Sequence, residues 1–170
     1  MKTLILVRHA KSSWDNVALA DFDRPLNDRG KNEAPKMAKR LIEKKVHIDA
    51  FLSSPAKRAK KTAELFMKEF DRKEKELILI PALYDASVET FYETIKAVDD
   101  SFKCIALFSH NPGITSFANG LIDNVEIDDM PTSSIFAVKI NCRNWGDFKD
   151  SKKEFWFFDY PKKNSSTNAG

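Results

Sequence analysis

The chain predicts an α/β fold, a three-layer α/β/α sandwich around a mainly parallel central sheet. Three observations carry that prediction. Short apolar, β-branched runs alternate along the chain with longer stretches of helical period. The runs 3–7 and 104–108 are apolar throughout rather than at every second residue, as befits strands covered on both faces. Thirteen Phe, three Trp and three Tyr among 170 residues can fill a core without metal or disulfide support.

The elements follow in order. Residues 3–7 form the first predicted strand. Residues 10–27 hold no period and read as a long loop ending in Arg24-Pro25-Leu26-Asn27, and loops of that length inside a compact fold usually carry function. A helix is predicted over 28–45, where Ala34, Met37, Ala38, Leu41 and Ile42 share one face. Pro35 either delays its regular part to about Asn32 or kinks it. A strand over 48–53 runs into Ser53-Ser54-Pro55, and a helix over 56–70 gathers Ala59, Ala63, Phe66, Met67 and Phe70 on one side. The apolar run 77–80 reads as a strand stopped by Pro81. Val88, Phe91, Tyr92, Ile95 and Val98 mark a third helix. The strand 104–108 leads into the turn Ser109-His110-Asn111-Pro112-Gly113 and a helix of about ten residues from Ile114. Residues 134–140 and 154–159 read as late strands. Neither a repeat nor a domain boundary is visible, so one domain is expected over 1–163, followed by a disordered polar tail over 164–170.

Composition narrows the function classes. Twenty-eight basic against 25 acidic residues leave a formal charge of +3, which excludes an acidic or disordered chain. The apolar runs are too short for a membrane span, and the N-terminal one is too short for a secretion signal. Two cysteines, Cys104 and Cys142, are too few for a zinc knuckle or a disulfide scaffold, and a cytoplasmic protein without a cofactor is expected. The basic clusters Lys57-Arg58-Ala59-Lys60-Lys61 and Lys152-Lys153 read as mixed-charge solvated surface, so neither nucleic acid nor membrane is expected as a partner.

In open α/β sheets, ligands bind beyond the carboxyl ends of the strands. Arg8-His9 ends the first strand, Ser53-Ser54-Pro55 leading to Arg58 ends the second, and Ser109-His110 ends the strand 104–108. Two histidines and two arginines are thus offered to one edge. Guanidinium forks match phosphate oxygens, and a neutral imidazole can attack phosphorus to form a covalent phosphohistidine. The remaining groups neutralise the equatorial oxygens during in-line transfer. Carboxylates do not cluster around this set, so a two-metal site is not expected. His47, between Val46 and Ile48 and away from the strand ends, reads as a structural residue.

At these residues the chain resembles the histidine phosphatase superfamily. Leu6-Val7-Arg8-His9-Ala10 is similar to its Arg-His-Gly signature. Residues 53–59 with Thr62-Ala63 match its Ser-Ser-Pro-x-x-Arg-Ala-x-x-Thr-Ala block, and Ser109-His110-Asn111-Pro112-Gly113 matches its second-histidine block. The resemblance implies a phosphoglycerate mutase-like fold, His9 as the phosphorylated nucleophile, and a phosphate pocket of Arg8, His9, Arg58 and His110. The short chain, Arg8-His9-Ala10-Lys11-Ser12-Ser13-Trp14, the segment 21–30 and Leu83-Tyr84-Asp85-Ala86-Ser87 most resemble the SixA-like phosphohistidine phosphatase branch. Ala10 departs from the usual glycine. Asp15 stands where the mutase branch carries a phosphate-contacting asparagine, and a carboxylate there would repel phosphate. Short gaps between the motifs leave little material for a lid, which suits a phosphorylated side chain on a protein surface.

The expected activity is that of a metal-independent phosphatase acting on protein phosphohistidine. A small-molecule phosphomonoesterase on the same site and a non-catalytic phosphate-binding module are the alternatives. By the same resemblance Asp21 is the expected proton donor, with Asp85 and Glu89 as the other candidates.

Overall fold

The computed structural model describes residues 1–163; the tail expected over 164–170 lies outside the described residues. Six strands, β1 (Lys2–Arg8), β2 (Ala50–Ser53), β3 (Ile78–Leu79), β4 (Cys104–Ser109), β5 (Ile135–Ile140) and β6 (Lys153–Asp159), form one sheet in the order β3-β2-β4-β1-β5-β6. The first four run parallel, and β5 and β6 add an antiparallel edge. Helices α1 (Asp28–Glu43), α2 (Lys57–Glu69), α3 (Val88–Lys96) and α4 (Gly113–Leu121) cover the two faces.

Strand alternation builds the layers. Leu4, Leu6, Ile105 and Leu107 point to one face and pack with Phe91 and Ile95 of α3 and Ile114, Phe117 and Ala118 of α4. Ile5, Val7, Ala106 and Phe108 point to the other and pack with Met37 and Leu41 of α1 and Phe66 and Met67 of α2. Both faces of β1 and β4 are therefore buried, as their unbroken apolar runs require. Among the described residues no helix is long and apolar enough to cross a membrane.

The structure differs from expectation in three places. The strand 77–80 shrinks to Ile78–Leu79 at the sheet edge, with both side chains 41% exposed, because only Leu52 and Ser53 pair with it. The regular part of the helix does not wait for Asn32: α1 runs from Asp28 to Glu43 through Pro35, although proline supplies no N–H to the Lys31 carbonyl. Asn27 caps it, its side chain accepting the Gly30 N–H at 2.8 Å. The loop 10–27 is stapled at its base. Ser12 bridges Leu26, Ser13 N–H donates to the Pro25 carbonyl at 2.8 Å, and Asn27 N–H donates to the Lys11 carbonyl at 3.0 Å. A 3-10 turn, Asp21–Asp23, stands near its far end.

Candidate active site

The sheet register sets the centre of the site. Arg8 is paired with Ser109 across β1 and β4, so the next residues, His9 and His110, leave the sheet side by side with ring centroids 5.1 Å apart. His9 Nδ1 lies 2.7 Å from the Ala10 carbonyl. A carbonyl only accepts, so Nδ1 carries the proton and Nε2 keeps its lone pair. Burial pushes the His9 pKa down to about 3, and the neighbouring His110 ring and the cations Arg58 and Arg8 push the same way. His110 is lowered to about 4, first by burial and then by Arg58, and its Nε2 lies 2.8 Å from Ser54 Oγ. Both imidazoles are neutral at pH 7.

Arg58 joins the first strand end to the second. Its Nε donates toward His9 Nε2 at 3.4 Å, so the lone pair faces a fixed positive charge. Thr62, one turn further along α2, ties the backbones together: its hydroxyl donates to the Arg58 carbonyl at 2.7 Å and accepts the Ala10 N–H at 2.9 Å. Arg8 Nη1 donates to the Met130 carbonyl at 2.8 Å. That carbonyl is held in place by Asn111 Nδ2 at 3.0 Å, and the Met130 N–H by Thr115 Oγ1 at 2.9 Å. Ser133, in the left-handed region at φ 63, donates its N–H toward the Arg8 and His9 carbonyls at 3.2 Å.

Asp21 comes to the same place. Arg58 Nη1 donates to its backbone carbonyl at 2.6 Å and Nη2 to its Oδ2 at 3.0 Å, while Tyr84 Oη donates to Oδ2 at 2.6 Å. The tyrosine hydrogen bond and then Arg58 hold the Asp21 carboxyl below the usual carboxylate range. Arg24 is a third arginine here. It lies 3.4 Å from Asp21 Oδ1, bonds Ser12 Oγ through Nη2, and stacks over the Trp14 ring at 3.4 Å to the centroid.

Arg8, His9, Arg58, His110 and Asp21 are thus brought together. Asp85 lines a cavity of about 230 Å³ with His110, Asn111 and Gly113. Glu89 is exposed on the first turn of α3 and does not line that cavity. His47 is exposed on the turn after α1. Sequence reasoning missed Arg24, Tyr84, Ser54 and Thr62 as partners, although all four lie in segments that carry the motifs. Among the described residues no three His, Cys, Asp or Glu side chains are grouped as a metal ion requires.

Residues 4–103 match the model of the histidine phosphatase superfamily (branch 1). The chain belongs to that superfamily. Arg8, His9 and Arg58 fall inside the matched histidine phosphatase region, and His110 lies just beyond it. Over 84 residues the chain is 38% identical to an uncharacterised chloroplast protein of Arabidopsis thaliana, a match covering 49% of this chain and 38% of that protein. A 2,3-bisphosphoglycerate-dependent phosphoglycerate mutase of Bartonella henselae is 34% identical over 84 residues, covering 48% of this chain and 41% of the mutase. The matched stretches therefore span 38% and 41% of these curated relatives' lengths. Among solved structures, one described as the phosphohistidine phosphatase SixA of Agrobacterium tumefaciens superposes with a TM-score of 0.80 at 25% identity. That likeness covers 94% of this chain and 98% of the other, and the fold is the phosphoglycerate mutase-like one.

Proposed function

We propose that this histidine phosphatase superfamily member is a phosphatase that works through phospho-His9, with protein phosphohistidine as substrate. The observation that carries the reading is the state of His9: a neutral imidazole whose Nδ1–H is spent on the Ala10 carbonyl and whose Nε2 lone pair faces Arg58. In the first step Nε2 attacks phosphorus. The bond from phosphorus to the substrate nitrogen breaks, and its electron pair stays on a substrate ring already protonated at its other nitrogen, so neutral imidazole departs. Arg8, Arg58 and Arg24, with the polar ring of His110, bind the phosphoryl oxygens as charge spreads over them. In the second step water attacks phospho-His9, Asp21 takes the water proton, and the electron pair of the breaking bond returns to Nε2.

The ionised state of Asp21 supports the choice of substrate. Release of an alkoxide from a phosphoester needs a proton donor at once, and a carboxyl held low by Tyr84 and Arg58 is poorly loaded for that task. Release of imidazole from phosphohistidine needs less help. The similarity to the SixA structure supports the same reading. Cys104 and Cys142, both free, support a reducing compartment such as the cytoplasm.

The test is chemical quenching during turnover of a phosphohistidine protein. Wild-type enzyme is expected to carry acid-labile, base-stable phosphate, and His9→Ala to carry none and to be inactive. Undiminished turnover by His9→Ala refutes the proposal.

A further inference from the structure

The basic run 57–61 reads in the sequence as ordinary solvated surface, yet in the fold it lines a groove. Lys57, Lys60 and Lys61 of α2 face Lys31 of α1 across a cavity of about 410 Å³, closed on its other sides by Pro25, Leu26 and Glu64. Four cations stand against one carboxylate. Among the described residues none of these four lysines closes an ion pair.

The placement works against helix stability. A helix N-terminus carries partial positive charge and favours acidic side chains. The first turn of α2 holds no acid, its N-cap Ala56 makes no side-chain capping bond, and Lys57, Lys60 and Lys61 crowd the first two turns. Lysines and helix end therefore add their potentials rather than cancel, and the sum attracts anions. Two of the groove's lining residues are chain neighbours of the candidate active site's arginines. Pro25 follows Arg24 directly, and Lys57 directly precedes Arg58.

We infer that this lysine groove docks an acidic segment of the phosphoprotein substrate beside its phosphorylated side chain. The inference rests on the phosphatase reading for its substrate and adds to it the chemistry of the partner's surface. A nucleic acid fits less well: the groove is short, walled by Pro25 and Leu26, contains a carboxylate and offers no aromatic face for base stacking.

The test is the double substitution Lys60→Glu/Lys61→Glu. Glutamate near a helix N-terminus favours the helix, so the fold is retained. Turnover is measured on a phosphohistidine protein with acidic residues around its phosphorylated histidine, and on small phosphoramidate, which leaves the groove unused. For the protein, kcat/KM is expected to fall at least about tenfold, chiefly through KM, and to lose its decline with added salt. Phosphoramidate turnover is expected to be unchanged. Equal loss on both substrates, or none on either, overturns the inference. Should wild-type enzyme fail on phosphohistidine protein, the phosphatase reading fails by itself, and fluorescence anisotropy of labelled polyglutamate still decides the groove. Binding abolished by the double substitution upholds it, and binding retained overturns it. Duplex DNA bound more tightly than polyglutamate overturns the choice of partner.

Discussion

Tyr84 donates its phenolic hydrogen to Oδ2 of Asp21 at 2.6 Å, reaching across 63 residues of sequence to a carboxylate in the first loop. The pairing pushes the two groups in opposite directions: the Asp21 carboxyl is held low and the Tyr84 phenol is raised. Tyr84→Phe removes the largest cause of the depression, so the Asp21 carboxyl moves toward its ordinary range. The acid limb of phosphoenzyme hydrolysis is therefore expected to shift to higher pH in Tyr84→Phe, read from single-turnover decay across the acidic range. Asp21→Asn removes the proposed proton acceptor, and its phosphoenzyme is expected to accumulate with decay slowed by roughly 10²–10⁴-fold. An unmoved acid limb together with normal decay in Asp21→Asn would remove Asp21 from the water step.

The two buried imidazoles make stability depend on pH. His9 and His110 have pKa values lowered from 6.5 to about 3 and about 4. As pH falls through 6.5 the unfolded chain takes up protons that the folded one refuses, so stability is present above that pH and lost below it. Well below pH 6.5 each imidazole costs about 1.4 kcal/mol per pH unit, His110 until the pH reaches about 4 and His9 until about 3. Denaturant melts between pH 7 and 5 are expected to show the decline, and His110→Asn to roughly halve its slope. Carboxylates alone would give wild type and variant the same slope.

Trp14 is 68% exposed, yet its ring carries the Arg24 guanidinium at 3.4 Å. Contacts of this kind at exposed sites contribute about 0.5–1 kcal/mol. Trp14→Ala is therefore expected to raise KM roughly two- to fivefold, the kinetic equivalent of that energy, with kcat and thermal stability nearly unchanged. A fall in kcat at constant KM would place Trp14 elsewhere in the reaction.

Gly113 opens α4 where the backbone of the loop before α3 crosses it. A Cβ there would lie 2.1 Å from the Ala86 carbonyl oxygen, which is backbone and has little room to move. Gly113→Ala is expected to cost about 1–3 kcal/mol, read as a thermal midpoint lowered by roughly 2–10 °C. Because Ala86 and His110 line the same cavity, activity is expected to fall with it.

Much of this architecture is legible in the amino-acid sequence. The unbroken apolar runs of β1 and β4 announced strands buried on both faces, and the three polar clusters at strand ends named four of the residues that meet. What stayed illegible depends on contacts distant in sequence. Nothing in the segment Leu83-Tyr84-Asp85-Ala86-Ser87 pairs Tyr84 with Asp21 until the fold brings the two together. Arg24 reads as a loop cation until Trp14 and Ser12 fix it. Pro35 signals a helix boundary by its own chemistry, but the face carrying Ala34, Met37, Ala38 and Leu41 packs on the sheet strongly enough to carry the helix through it.

The pairing of Arg8 with Ser109 has a wider consequence. His9 and His110 are spaced by the hydrogen-bond ladder of two central strands, not by any loop. Loops can lengthen, shorten or exchange residues without changing the distance between the two rings. The spacing of the two rings thus belongs to the sheet, and the surrounding loops are left to decide what reaches them.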